Sequence, residues 1–79
     1  MIVHVLFFGA TADWVGRRDL DVTTGDKATV TEVLEQLMDE YPDLRHRRLQ
    51  SSINQTYAAG ETVLQAGDEL AFFTAVSGG

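Results

Sequence analysis

The sequence predicts a small α+β domain in which one mixed β-sheet packs on a single main helix, followed by a flexible C-terminal tail. Two nearly continuous apolar runs of strand character lie at opposite ends of the chain. One strongly amphipathic helical segment lies between them, and the last six residues have no evident place in a core. At 79 residues the chain has room for one domain only. The expected division is a globular unit over residues 1–73 and a tail over residues 74–79. A chain of this size buries about 60% of the surface its unfolded form exposes, which sets its stability at roughly 4–12 kcal/mol.

Val3-His4-Val5-Leu6-Phe7-Phe8 is rich in β-branched and aromatic residues and closes at Gly9, the pattern of a strand covered on both faces. Thr11 is placed to cap a short turn through Ala12-Asp13-Trp14-Val15, which Gly16 ends. Arg18-Asp19-Leu20-Asp21-Val22-Thr23 alternates charged and apolar positions, as a strand with one wet face does. Thr24-Gly25-Asp26-Lys27 turns the chain. In Thr29-Val30-Thr31-Glu32 the first hydroxyl and the last carboxylate can each satisfy an orphan backbone N–H, a capping box that starts a helix. Val30, Val33, Leu34, Leu37, Met38 and Tyr41 then follow at i, i+3, i+4, i+7, i+8 and i+11, one apolar stripe about three turns long, and Pro42 stops it. Glu32, Glu35, Gln36, Asp39 and Glu40 form the solvated face.

Residues 44–50 read as a basic segment containing a helical turn, with Arg45, His46, Arg47 and Arg48 as a solvated cluster. Ile53-Asn54-Gln55-Thr56-Tyr57 reads as a strand and Val63-Leu64 as a strand stub. Turns fall at Ala59-Gly60-Glu61 and Gln65-Ala66-Gly67-Asp68, before a last strand at Glu69-Leu70-Ala71-Phe72-Phe73. The first and last strands both want central positions in one sheet and should be neighbours, with the helix covering one face. That arrangement is a β-grasp, and it leaves the other face without a helix. Successive strand residues point to opposite faces, so one of the rings of Phe72 and Phe73 should be available to a partner.

Composition narrows the function. With no cysteine there is no disulfide frame, thiolate metal site or cysteine nucleophile, so any sulfur chemistry needs borrowed sulfur. A net charge of −6 argues against binding nucleic acid, which requires a basic face. No apolar run approaches a membrane span and no basic flank of a signal peptide precedes Ile2, so a cytoplasmic protein is expected. All six basic residues precede Leu49, which leaves the last 31 residues purely anionic and suggests a partner that presents positive charge to them.

A search for catalytic side chains finds no Ser/His/Asp spacing, no glycine-rich phosphate loop and no metal-ligand cluster. His4 reads as a structural histidine, and Asp68 with Glu69 as turn chemistry. As a self-contained enzyme the chain is not expected. What remains is Thr74-Ala75-Val76-Ser77-Gly78-Gly79, which when extended spans at most about 20 Å, enough to enter a partner's active site from outside. The two glycines lack a Cβ and suit passage through a narrow channel. A terminal carboxylate is ionised at neutral pH and can attack an ATP phosphorus. A sulfur donor can convert the resulting acyl-adenylate to a thiocarboxylate at Gly79.

Leu6-Phe7-Phe8 followed by Gly16, then Ile53-Asn54-Gln55-Thr56, Gly67-Asp68-Glu69-Leu70-Ala71-Phe72-Phe73 and Val76-Ser77-Gly78-Gly79, resemble the small subunit of molybdopterin synthase, a ubiquitin-like sulfur carrier. The resemblance spans essentially the whole chain and is densest after Ile53. It implies a ubiquitin-activating-type adenylyltransferase that uses ATP and magnesium to adenylate Gly79, a sulfur donor protein, and a large subunit that supplies the catalytic side chains. The carrier itself would bind no cofactor. Its tail would enter the large subunit beside cyclic pyranopterin monophosphate, and sulfur transfer would build the dithiolene of molybdopterin within a dimer of heterodimers. Gly79 would then be the reacting residue and Gly78 the thread, with Phe72, Phe73, Val76 and Ser77 as partner contacts.

Where the family commonly has two prolines after the double phenylalanine, this chain has Thr74-Ala75, which adds a loss of about 0.4–1 kcal/mol per site when the tail is ordered. Three alternatives stand beside this one: a carrier for thiamine thiazole synthesis, a protein modifier joined to lysines through Gly79, and a binding module with an inert tail.

Overall fold

The computed structural model describes residues 1–74. The elements run β1 (Ile2–Phe7), α1 (Ala10–Val15), β2 (Asp19–Thr23), α2 (Val30–Glu40), a 3₁₀ turn (Pro42–Leu44), β3 (Leu49–Ile53), β4 (Thr56–Ala58) and β5 (Glu69–Thr74). The five strands form one sheet in the order β2-β1-β5-β3-β4. The two apolar runs are neighbours, as expected. β1 and β5 pair in parallel with Val5 opposite Leu70 and Phe7 opposite Phe72, and every other pairing is antiparallel.

One face of this sheet carries the core. Val3, Val5 and Phe7 of β1, Val22 of β2, and Leu70 and Phe72 of β5 pack with Val30, Val33 and Leu37 of α2, while Val15, Leu44 and Leu64 close the edges. Each such side chain contributes about 1.5–3 kcal/mol when fully buried, so this single layer dominates the stability of the fold. The helix starts where the capping box places it: Thr29 Oγ1 accepts from the Glu32 N–H at 3.2 Å, and Glu32 Oε1 accepts from the Thr29 N–H at 3.2 Å. Thr29→Ala is expected to lower stability by about 1 kcal/mol in urea titration; an unchanged midpoint would show that packing alone holds the first turn. After the α2 start, the close approach of loop to helix requires a glycine. Gly60 O accepts from Thr31 N–H at 2.9 Å, and a Cβ at Gly60 would collide with Thr31 Oγ1.

Several elements differ from the sequence expectation. Thr11 is not a cap. Gly9 holds that position, and Thr11 is fully buried inside α1, its hydroxyl shared between the carbonyls of Phe8 at 2.6 Å and Phe72 at 3.1 Å. Gly16 does end α1, in the left-handed region. Residues 53–57 are not one strand. Asn54 and Gln55, at φ 48° and 72°, form a two-residue hairpin turn between β3 and β4, with Ile53 opposite Thr56. Such turns usually advertise themselves with glycine, and this one has none. The basic segment does not form a helical turn of its own either: the 3₁₀ turn ends at its first residue, Leu44, and Leu49 and Gln50 already belong to β3. Val63 makes only an isolated bridge to Thr29, and Leu64 is a core residue rather than part of a strand. Thr74, assigned to the tail, is the last residue of β5 and lies opposite Leu49.

Candidate functional site

β1 alternates instead of being buried throughout, because α2 covers only one face of the sheet. The residues facing away from α2 are Leu6, with Phe8 just beyond β1, Ala71 and Phe73 on β5, Gln50 and Ser52 on β3, and Tyr57 on β4, as the strand registers require. Tyr57 is 77% exposed and Phe8 52% exposed. The rings of Tyr57 and Phe73 meet edge to face with centroids 5.8 Å apart. An apolar patch thus lies on the open face, centred on the strand from which the chain continues toward its last residues.

Phe72 and Phe73 do point to opposite faces. Phe72 is 1% exposed and belongs to the core, which removes it from the expected docking contacts; Phe73 is the outward ring. The burial of Phe72 follows from its pairing beside Phe7 on the helix-covered face. Val76, Ser77, Gly78 and Gly79 lie outside the described residues. Extended, the five residues after Thr74 reach at most about 18 Å beyond it. Leu6, Phe8 and Tyr57 were not among the partner contacts expected from the sequence, although Leu6 and Phe8 belong to the motif that carries the resemblance. The signal for the first two was present in the apolar run itself, where every second residue must face away from the helix. Tyr57 became legible only once the hairpin register was known.

The motif residues at the far end of the sheet hold structure. Asn54 donates from its backbone N–H to Glu69 O at 2.8 Å and from Nδ2 to Asp68 Oδ1 at 3.0 Å, and its Oδ1 accepts from the Glu69 N–H at 3.0 Å. Asp68 Oδ2 accepts from the Gln65 N–H at 2.7 Å. Together these bonds lock the β3–β4 turn to the start of β5, aligning the strand that leads to the tail.

His4 also faces away from α2, half-exposed. Its Nδ1–H donates to Asp21 Oδ1 at 2.6 Å and its Nε2 lies 3.6 Å from Asp19 Oδ2. The hydrogen bond to Asp21 raises its pKa above the ordinary 6.5, partial burial opposes this, and the charges of Asp21, Asp19 and Glu69 add to the rise. Because the folded value is the higher one, the stabilisation is complete below about pH 6.5 and is lost as pH rises through the raised value. Wild type is therefore expected to exceed His4→Gln in stability at about pH 5.5, with the advantage gone by about pH 9. Denaturant titrations at both pH values check this, and a constant difference would contradict it.

Charge is distributed differently in space than along the chain. β1 and β5 end together, and β2 and β3, antiparallel to them, begin at that same end. The segments just before β2 and β3 carry Arg17, Arg18, Arg45, Arg47 and Arg48, all exposed. The anionic Asp68 and Glu69 lie at the opposite end, where β5 begins. The expectation that a partner meeting the C-terminus faces only negative charge is therefore corrected: the end of the sheet where β5 finishes is of mixed charge, its arginines lying among Asp13, Asp19, Asp39 and Asp43.

The family model described as ThiS family matches residues 5–79. The chain belongs to the ThiS family. The molybdopterin synthase sulfur carrier subunit of Mycobacterium tuberculosis (strain ATCC 25618 / H37Rv) is 40% identical over 82 residues, covering 98% of this chain and 96% of that protein. Among solved structures, SAMP1 from Haloferax volcanii, a small archaeal modifier protein, superposes with a TM-score of 0.87 at 29% identity, covering all of both chains. A chain of the complex of subunits 1 and 2 of molybdopterin-converting factor from Helicobacter pylori 26695 superposes with a TM-score of 0.69 at 22% identity, again over all of both chains; at that identity the likeness is one of fold. The ThiS-family match reaches Gly79 and so takes in the diglycine together with the sheet that precedes it. The β-grasp expectation holds for this member, with a mixed five-stranded sheet against one main helix. Among the described residues no helix is long and apolar enough to cross a membrane, and no group of three or more His, Asp or Glu side chains could hold a metal ion.

Proposed function

We propose that this ThiS-family chain is the sulfur carrier subunit of a molybdopterin synthase. The observation that carries the proposal is the 40% identity, over nearly the full length of both chains, to a molybdopterin synthase sulfur carrier subunit. The open apolar face around Phe73 supports it, since a carrier needs a surface by which to be held while its end reacts elsewhere.

In this account the Gly79 carboxylate attacks the α-phosphorus of ATP on a ubiquitin-activating-type adenylyltransferase that uses magnesium, and pyrophosphate leaves. A sulfur donor protein displaces AMP and leaves a thiocarboxylate on Gly79. The charged carrier then docks on the large subunit, Gly78 threads the channel, and its one sulfur passes to cyclic pyranopterin monophosphate; a second charged carrier supplies the second sulfur of the dithiolene. Water restores the carboxylate. Catalytic side chains come from the partners, and the carrier supplies position. Val76 and Ser77 are assigned to the channel, and Phe73, Tyr57, Phe8 and Leu6 to the docking face.

Phe73→Ala is expected to weaken large-subunit binding by about 10- to 30-fold, the usual loss at a central aromatic contact, while leaving the thermal midpoint nearly unchanged. Isothermal titration calorimetry with the large subunit reads the affinity; binding within twofold of wild type would remove the docking assignment.

A second proposal, that the chain modifies proteins through Gly79, draws on the 29% identity to SAMP1. Immunoblots of cell extract separate the two. A ladder of high-mass conjugates that disappears with Gly79 supports the modifier, and a single band at the mass of the free chain supports the carrier.

A further inference from the structure

We propose that Thr11 is a positioning residue that ends the parallel ladder between β1 and β5 and so sets where the chain can leave the sheet toward its last carboxylate. This rests on the carrier role above. In a parallel pair, every second residue of one strand turns its backbone N–H and C=O to the other strand. On β1 these are His4, Leu6 and, just beyond the strand, Phe8: the His4 N–H donates to Asp68 O at 2.9 Å and the Phe8 N–H to Phe72 O at 3.0 Å. The register that sets Phe7 opposite Phe72 would bring the Thr74 N–H to Phe8 O as the next rung. Among the described residues that rung is not formed. Phe8 O accepts from Thr11 instead, from its backbone N–H at 3.3 Å and from its hydroxyl at 2.6 Å. A carbonyl oxygen has two lone pairs, and Thr11 occupies both.

The stop is built locally. Gly9, at φ 59°, turns the chain from β1 directly into α1, which brings the fully buried Thr11 to the end of the ladder. Its hydroxyl also lies 3.1 Å from Phe72 O, the acceptor of the last rung, and so sits between the last rung formed and the first one missing. β3 does not take the Thr74 N–H either. The bond from the Asn54 N–H to Glu69 O makes residues 69, 71 and 73 the ones that turn their backbone groups to β3, and Thr74 falls outside that alternation. β5 is thus paired with β3 as far as Thr74 but with β1 only as far as Phe72. For a carrier that reacts at its last residue, each residue kept in the sheet removes about 3.3 Å of reach, and each further rung must open before the end can enter a partner. Stopping the ladder at Phe72 makes Thr74 the point at which the chain can swing out.

The test is amide hydrogen exchange of the ¹⁵N-labelled chain in wild type, Thr11→Val and Thr11→Ser. In wild type the Thr74 N–H should exchange within about tenfold of the rate of an unstructured chain, and the Phe72 N–H, inside the ladder, at least about a thousandfold more slowly. Thr11→Val keeps the side-chain volume and removes the hydroxyl. Phe72 O retains the Phe8 N–H and Phe8 O retains the backbone N–H of residue 11, so neither carbonyl loses its last donor, and one lone pair of Phe8 O is released for Thr74. Exchange at Thr74 should then slow by about five- to tenfold, the effect of one backbone hydrogen bond, while Thr11→Ser, which keeps the hydroxyl, exchanges as wild type does. A Thr74 N–H as protected as that of Phe72 in wild type overturns the proposal whether or not the variants fold, and so does a Thr74 rate that Thr11→Val leaves within about twofold of wild type.

Carrier-dependent ATP–pyrophosphate exchange by the activating enzyme reads the consequence. Thr11→Val should lower the maximal rate about three- to tenfold, because the added rung must open before the last residues can enter, and should leave the half-saturating carrier concentration within about twofold, because the docking face is untouched. Thr11→Ser should restore the wild-type rate. An unchanged maximal rate in Thr11→Val, or an equal loss in Thr11→Ser, overturns the positioning role. Should wild type itself support no exchange, the carrier role fails, and hydrogen exchange at Thr74 still decides the ladder on its own.

Discussion

A chain lacking Gly79 is expected to melt like wild type and to lose adenylation by the activating enzyme. Among the described residues the last fully buried side chain is Phe72, and the sheet ladder runs to Thr74 opposite Leu49, so Gly79 lies five residues beyond it. Removing one residue moves the carboxylate by about 3.5 Å along the chain direction. A misplacement of about 1 Å at a reacting centre already lowers rates by about a hundredfold, so exchange should fall at least that far and in practice below detection. Adding a residue after Gly79 should do the same for the opposite reason. Exchange within tenfold of wild type, or a parallel loss of helical circular dichroism, would contradict this division between body and tail.

The second large effect is expected one residue away from the docking face. Phe72→Ala removes a ring from the core cluster that also holds Val5, Phe7 and Leu37, and large-to-small changes of this kind cost about 3–5 kcal/mol. For a domain whose stability is roughly 4–12 kcal/mol, that is from about a quarter to all of it, a fall in thermal midpoint of roughly 12 °C or more. Phe73→Ala, on the other side of the same strand, should shift the midpoint by only a few degrees while weakening docking. Differential scanning calorimetry on the two variants reads this contrast. Similar midpoints for both would mean that the two rings do not divide the work of folding and recognition between them.

The long elements were legible from the sequence because several signals agreed on them. α2 had a capping box, a 3.6-residue stripe and a proline stop, all of which the structure retains. That β1 and β5 are neighbours followed from two apolar runs competing for the centre of one sheet; their parallel direction is seen only in the structure. The apolar run in β1 was misread in one respect. Its outward residues are left partly or largely open to solvent rather than forming a second buried face, and a single chain's hydropathy does not separate the two. The hairpin turn at Asn54-Gln55 was hidden because both residues take positive φ without glycine. Asn54 is held there by Asp68 and Glu69, which are 14 and 15 residues away and brought to it only by the fold. Thr11 was hidden for a similar reason, since its second acceptor is Phe72 O, on the last strand. The gathering of arginines at the end of β5 came from topology alone, because antiparallel neighbours return the start of β2 and of β3 to that end.

Intact mass spectrometry of the chain after incubation with ATP, magnesium, the activating enzyme and a sulfur donor is the most direct test of the central claim that the chain works through its own last carboxylate. The account predicts a mass increase equal to replacing one oxygen by sulfur, located by fragmentation at Gly79 and absent when ATP is omitted. An unchanged mass under conditions in which a known carrier is converted by the same enzymes, or sulfur found at any other residue, would contradict it.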